Sequence, residues 1–145
     1  MQVDHILREK GREVIWLTAD ATLSEAARLL AHKHIGAVVV KDALGSLCGI
    51  LSERDVVRAV AAESVLALAR PVGAYMTRAV ATCKEADSTE DLMEMMTLGR
   101  FRHVPVVDAS GQLCGVVSIG DVVKSRIEET LREATNLREY IAAAG

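Results

Sequence analysis

The sequence predicts an α/β (α+β) fold made of two copies of one β-α-β-β-α unit, followed by a helical extension. Two observations carry this. GILSERD (Gly49 to Asp55) returns as GVVSIGD (Gly115 to Asp121), 66 positions later. The match also runs on without a gap in both directions, far beyond seven letters. Gly45 to Arg58 lies over Gly111 to Lys124 with eight of fourteen positions identical. Ile35 to Asp42 lies over Phe101 to Asp108, and Asp20 to His34 over Ala86 to Arg100. Even the leaders share a pattern: V-D-H-I-L (Val3 to Leu7) resembles V-G-A-Y-M (Val72 to Met76) at an offset of 69. A repeat of this length is a duplicated supersecondary unit that does not bury its apolar face alone. The copies are assigned to 1–66 and 67–126, with a helix extension over 127–145.

The elements follow in order. V-I-W-L (Val14 to Leu17) is a short apolar strand. Thr22 opens T-L-S-E, a capping box with hydroxyl at N-cap and carboxylate at N3. Leu23, Ala26, Ala27 and Leu30 then recur at helical spacing. In the second copy Ser88 and Asp91 take the cap positions, before Leu92, Met93, Met95 and Met96; the methionines are read as packing. Ala37 to Val40 is a β-branched run, the mark of a buried strand. D-A-L-G and D-A-S-G are turns that return the chain into LCGIL and LCGVV. S-x-x-D then opens the second helix of each copy, with Val56, Val57 and Val60 in one and Val122, Val123 and Ile127 in the other. The link from Ala61 to Pro71 is small and apolar, more helical than disordered. From Val122 to Ala144 there is no Gly or Pro. Val123, Ile127, Leu131, Ala134 and Ile141 make a partial stripe there that needs a partner face. Either the domain or a second copy would cover it.

Composition narrows the function. Half of the 145 residues are hydrophobic, but only Trp16, Tyr75, Phe101 and Tyr140 are aromatic. The core is therefore aliphatic, and Trp16 is expected in it, with the border of a ligand site as the alternative. The net charge is -3, with cations scattered among acids. That is not the basic stripe of a nucleic-acid binder. The longest uncharged apolar stretch, Ile35 to Val40, is far below a membrane span, and no signal-peptide pattern opens the chain. A cytoplasmic protein is expected. Cys48, Cys83 and Cys114 form no C-x-x-C pair, and no metal site is expected; Cys48 and Cys114 read as buried small hydrophobes. His32 and His34, two apart, fall on different helix faces. No nucleophile motif is visible: no G-x-S-x-G, H-E-x-x-H or P-loop. The chain is read as no enzyme, with no catalytic cofactor.

The repeated letters carry chemistry of their own. A strand ends, and a hydroxyl and a carboxylate sit three apart at a helix start. The free N–H groups and dipole of that start favour a phosphate. Asp55 can accept both hydroxyls of a ribose diol. Gly49 permits a close approach to the backbone. The plainer reading is that S-x-x-D caps its own helix. The two roles are compatible.

The chain resembles a tandem pair of cystathionine β-synthase (CBS) domains over about Val3 to Arg126. The resemblance rests on GILSERD and GVVSIGD, on RHVPVVD (Arg102 to Asp108), on AYMTR (Ala74 to Arg78) and on the β-α-β-β-α repeat. It implies two copies packed about a pseudo-two-fold axis, with two clefts between them for adenosyl ligands. Carried over, one cleft would join Ile50, Ser52, Arg54 and Asp55 to Ala81, Arg102 and His103. The other would join Val116, Ser118 and Asp121 to Ile15, Gly36 and Ala37. The aspartates would hold ribose, and backbone groups at Ile15 and Ala81 would face the adenine. The first cleft has Arg54, Arg102 and His103 for a phosphate; the second has Gly120, Gly36 and Ala37 at the matching places. The implied ligand is an adenine nucleotide, AMP first, with NAD(H) or ATP as alternatives. The implied role is a regulatory ligand sensor that forms a homodimer and signals to an effector protein. The competing reading is a constitutive dimerisation or scaffold module with vestigial clefts.

Overall fold

The computed structural model describes residues 1–144. The order is α1 (Val3–Lys10), β1 (Trp16–Thr18), α2 (Leu23–Lys33), β2 (Ala37–Lys41), β3 (Leu47–Ser52) and α3 (Glu53–Glu63). Two 3-10 segments, Ser64–Ala69 and Val72–Ala74, lead to the second copy. It consists of β4 (Cys83–Lys84), α4 (Thr89–Gly99), β5 (His103–Val107), β6 (Leu113–Ser118) and α5 (Ile119–Ala144). The duplicated β-α-β-β-α unit is thus present, and the link is helical as expected.

Each copy forms a three-stranded sheet, β1-β2-β3 or β4-β5-β6. The first strand pairs parallel with the second, and the second antiparallel with the third. The two hairpins keep the same register, Val39 opposite Ile50 and Pro105 opposite Val116, and both slip by one residue at the same place. Their turns are alike. Asp42 Oδ1 accepts from the amides of Leu44 and Ser46, and Asp108 Oδ1 from those of Ser110 and Gln112. Gly45 and Gly111 both take φ 82°, a left-handed conformation that favours glycine.

The caps are as read. Thr22 and Glu25 form a reciprocal capping box on α2, and Ser88 Oγ accepts from the Asp91 amide on α4. On α2, Leu23, Ala26 and Leu30 are buried; on α4, Leu92 and Met96 are. Met93 and Met95 are half-buried against the same core.

The leaders change places. Val3, Ile6 and Leu7 of α1 lie in the core of the second copy, with Leu92, Val104 and Val117. Val72 and Met76 lie in the core of the first, with Leu23, Val38 and Leu51. Gly49 and Gly115 make this exchange possible. A Cβ on Gly49 would stand 2.5 Å from Met76 Sδ, and one on Gly115 would stand 2.6 Å from Leu7 Cδ2. The close approach that these glycines permit is that of a leader side chain from the other end of the repeat. The backbone follows: Ile50 and Thr77 exchange N–H···O bonds of 3.0 and 2.9 Å.

Two burial expectations are corrected. Trp16 is 49% exposed, because β1 is an edge strand whose first and third side chains face outward. The Lys41 ammonium of the neighbouring strand covers the ring, 4.9 Å from its centroid. Cys48 and Cys114 are only half-buried, and Cys83 is the buried cysteine. Burial pushes the Cys83 thiol up to about 12, so it is an inert thiol.

Candidate functional site

A cleft of about 330 Å³ opens between the two copies, within the range of small-ligand sites. Its floor begins where β3 ends. Ser52 caps α3: its Oγ accepts from the Asp55 amide at 3.3 Å, and Asp55 Oδ2 accepts from the Ser52 amide at 2.9 Å. The capping reading of S-x-x-D is therefore right, and it leaves Asp55 chemically available. Asp55 Oδ1 has a 3.9 Å ion pair with Arg58, and the side chain is 12% exposed at the cleft.

The opposite wall comes from the second copy. Thr77, Ala79, Val80 and Ala81 lead into β4, and Gly99, Arg100, Phe101, Arg102 and His103 lead into β5. All seven residues expected in the first cleft line it: Ile50, Ser52, Arg54, Asp55, Ala81, Arg102 and His103. Two arginines that the motif reading missed also line it, Arg58 and Arg100. Arg58 was accessible to reasoning, since it stands one helical turn after Arg54 on the same face. Arg100 ends α4 in the left-handed region at φ 56°, like His34 at the end of α2. Four guanidiniums thus border the cleft, against Glu53 and Asp55.

Backbone chemistry also differs between the copies. In the first, the Val39 amide donates to the carbonyl of Ile15 at 3.2 Å. Pro105 occupies the matching place on β5 and has no N–H. It cannot tie up the carbonyl of Ala81, and β4 is one residue shorter than β1. His103 is pushed below the ordinary imidazole range by burial, partly opposed by the Glu53 carboxylate. It is neutral at pH 7, so the phosphate-neutralising charge of this cleft rests on the arginines.

The residues expected in the second cleft are placed differently. Gly36 and Ala37 line the first cleft; a Cβ on Gly36 would stand 2.9 Å from His103 Cε1. Ser118 and Asp121 cap α5 as Ser52 and Asp55 cap α3: the Ser118 amide donates to Asp121 Oδ2 at 2.8 Å and the Asp121 amide to Ser118 Oγ at 3.1 Å. The Lys10 ammonium lies against them. It donates to the Val116 carbonyl at 2.9 Å and to Asp121 Oδ2 at 2.6 Å. Burial raises the Asp121 carboxyl, but Lys10 and Ser118 more than offset this and hold it below the usual range. Ile15 is half-buried against the first core, its carbonyl taken by Val39.

Among the described residues, no group of three or more His, Cys, Asp and Glu is placed to hold a metal. No helix is long and apolar enough to cross a membrane.

A duplicated α/β unit with a ligand-sized cleft between its copies is the architecture of a paired ligand-binding module. The chain belongs to the CBS domain family, whose model matches residues 6–62 and 72–128. A crystal structure of a CBS-domain-containing protein from Agrobacterium tumefaciens superposes with a TM-score of 0.84 at 48% identity, covering 86% of this chain and 92% of that one. A CBS domain protein from Pyrobaculum aerophilum, solved in complex with AMP, gives a TM-score of 0.75 at 30% identity, over 83% and 89% of the two chains. The mitochondrial CBS domain-containing protein CBSX3 of Arabidopsis thaliana is 31% identical over 96% of this chain and 71% of its own length. Stand-alone CBS pairs of this kind are generally regulatory and non-catalytic.

Proposed function

We propose that this chain is a non-catalytic cytoplasmic sensor that binds a phosphorylated adenosine, AMP first, in the cleft between its repeats. One observation carries the reading: Asp55 of the first copy, Ala81 of the second and four arginines drawn from both line a single cleft of nucleotide size. Asp55 Oδ1 accepts from the ribose hydroxyls while Oδ2 stays in the cap. The Ala81 carbonyl, left without a partner from Pro105, accepts from the adenine amine. The α3 N-terminus and the arginines hold the phosphate. AMP bound to the Pyrobaculum relative supports the ligand class. The ligand's contacts come from both repeats, so an occupied cleft favours one arrangement of them over another. A ligand shifts such an equilibrium only through different affinity for the two states.

Two copies pair through apolar residues that α3 and α5 leave exposed, among them Val57, Val60, Val123 and Ile127. The pair presents the nucleotide-dependent surface to an effector protein. The scaffold reading shares this interface and differs only in denying the ligand.

The test is titration calorimetry on stripped protein against AMP, ADP, ATP, NAD(H) and S-adenosylmethionine. Micromolar binding of one of them is expected. Asp55→Asn keeps an oxygen for the Ser52 amide and is expected to cost about 1.5–3 kcal/mol of affinity, the scale of a hydrogen bond to a charged group. No binding across the panel would establish the scaffold reading instead.

A further inference from the structure

We propose that the second cleft is closed by the chain itself, with Lys10 as the plug, so that each chain carries one nucleotide site. The inference rests on the reading of the first cleft for its ligand class, but its own evidence lies elsewhere.

Lys10 is the last residue of α1, and its ammonium bridges the Val116 carbonyl and Asp121 Oδ2. These are the places that Ile50 and Asp55 hold in the first cleft. The plug is not on a loose tail. Val3 and Leu7 anchor α1 in the second core, the Gly11 amide closes the helix onto the Leu7 carbonyl at 2.8 Å, and Arg12 pairs with Asp4 and Glu85 just beyond. A ribose diol is neutral. To reach Asp121 it must displace an ammonium held at 2.6 Å without replacing its charge, an unfavourable exchange. Asp55 meets no such competitor, since its nearest cation is 3.9 Å away.

The adenine end is closed by a separate device. The Ile15 carbonyl, counterpart of Ala81, already accepts from the Val39 amide. Gly120 stands where the first copy has Arg54, so the α5 start offers no guanidinium there. The duplicated unit has therefore kept its fold twice and its open cleft once.

Equilibrium dialysis with labelled AMP and adenosine counts the sites. The wild-type chain is expected to bind one molecule, lost in Asp55→Asn. Lys10→Met/Val39→Pro is expected to bind two, and the gained site to survive Asp55→Asn and vanish with Asp121→Asn. Pro105 shows that the central strand accepts proline at this register, and Lys10→Met alone, at an exposed position, is the variant least able to disturb folding. Two molecules on the wild-type chain would overturn the proposal, as would a single one on both opened variants. No binding to the wild type together with an Asp121-dependent site in the opened variant would sink the first-cleft reading and leave the plug standing.

Discussion

A methyl group on Gly115 would come within 2.6 Å of Leu7 Cδ2, and the core around Leu7 is fully buried. Gly115→Ala is therefore expected to destabilise the fold by about 1–3 kcal/mol, the cost of overpacking. Leu7→Ala alone leaves a cavity and costs about 2–5 kcal/mol. Combined, the two are expected to cost less than their sum, because the added methyl fills part of the space that the leucine vacates. Urea midpoints of the four proteins give the coupling, and strict additivity would show that Leu7 does not pack on Gly115. His103 makes a pH prediction. Burial lowers its pKa below that of the unfolded chain. Between the two values the unfolded chain holds more protons, so stability is lost as pH falls below about 6.5. His103→Gln is expected to flatten that part of the stability profile; an unchanged slope would place its cause in another group.

Among the elements, β4 shows how one residue shapes both sheet and site. Pro105 denies it a ladder bond, and the strand is two residues long where β1 has three. Pro105→Val restores an N–H at the place where Val39 has one. It is expected to extend β4, hold or raise the melting temperature, and weaken adenosine binding several-fold as the Ala81 carbonyl becomes occupied. Unchanged affinity in a properly folded variant would remove that carbonyl from the adenine contact. The elements were largely legible in the sequence, because caps, turns and β-branched runs act over three to five residues. Asp42 and Asp108 organise their turns without help from distant parts of the chain. What stayed hidden depended on partners far away. Lys10 meets Asp121 across 111 positions, and no periodicity in E-K-G-R-E announces it. The leaders were visible as a repeated pattern, but their exchange between cores was not, since Val3 and Val72 suit either core equally. Trp16 was misplaced because a three-residue edge strand is too short for its own alternation to say which side faces water.

Over the whole molecule, the run of apolar positions along α5 is not absorbed by the fold. Val122 and Ser125 are buried, and beyond them Ile127, Leu131, Leu137 and Ile141 are more than half exposed. On α3, Val57 and Val60 are exposed as well, while Ala59 faces the core. Under the 66-residue shift Val57 matches Val123 but Val60 matches the charged Arg126, so this apolar surface is only partly shared by the two copies and continues only along α5. Surfaces of this kind are covered by association, and a helix with an unpartnered stripe is most simply covered by the same stripe of a second chain. The expected solution mass is twice the 15.6 kDa of one chain. Ile127→Asp with Leu131→Asp places charges in the middle of the stripe, outside both cores and away from the cleft. Light scattering is expected to give a monomer for this variant and a dimer for the wild type. The variant is expected to bind nucleotide still, because Ile127 and Leu131 do not line the cleft. A wild-type monomer, or a dimer that survives both charges, would move the interface off α5. Loss of nucleotide binding along with the dimer would mean that the cleft is complete only when two chains meet.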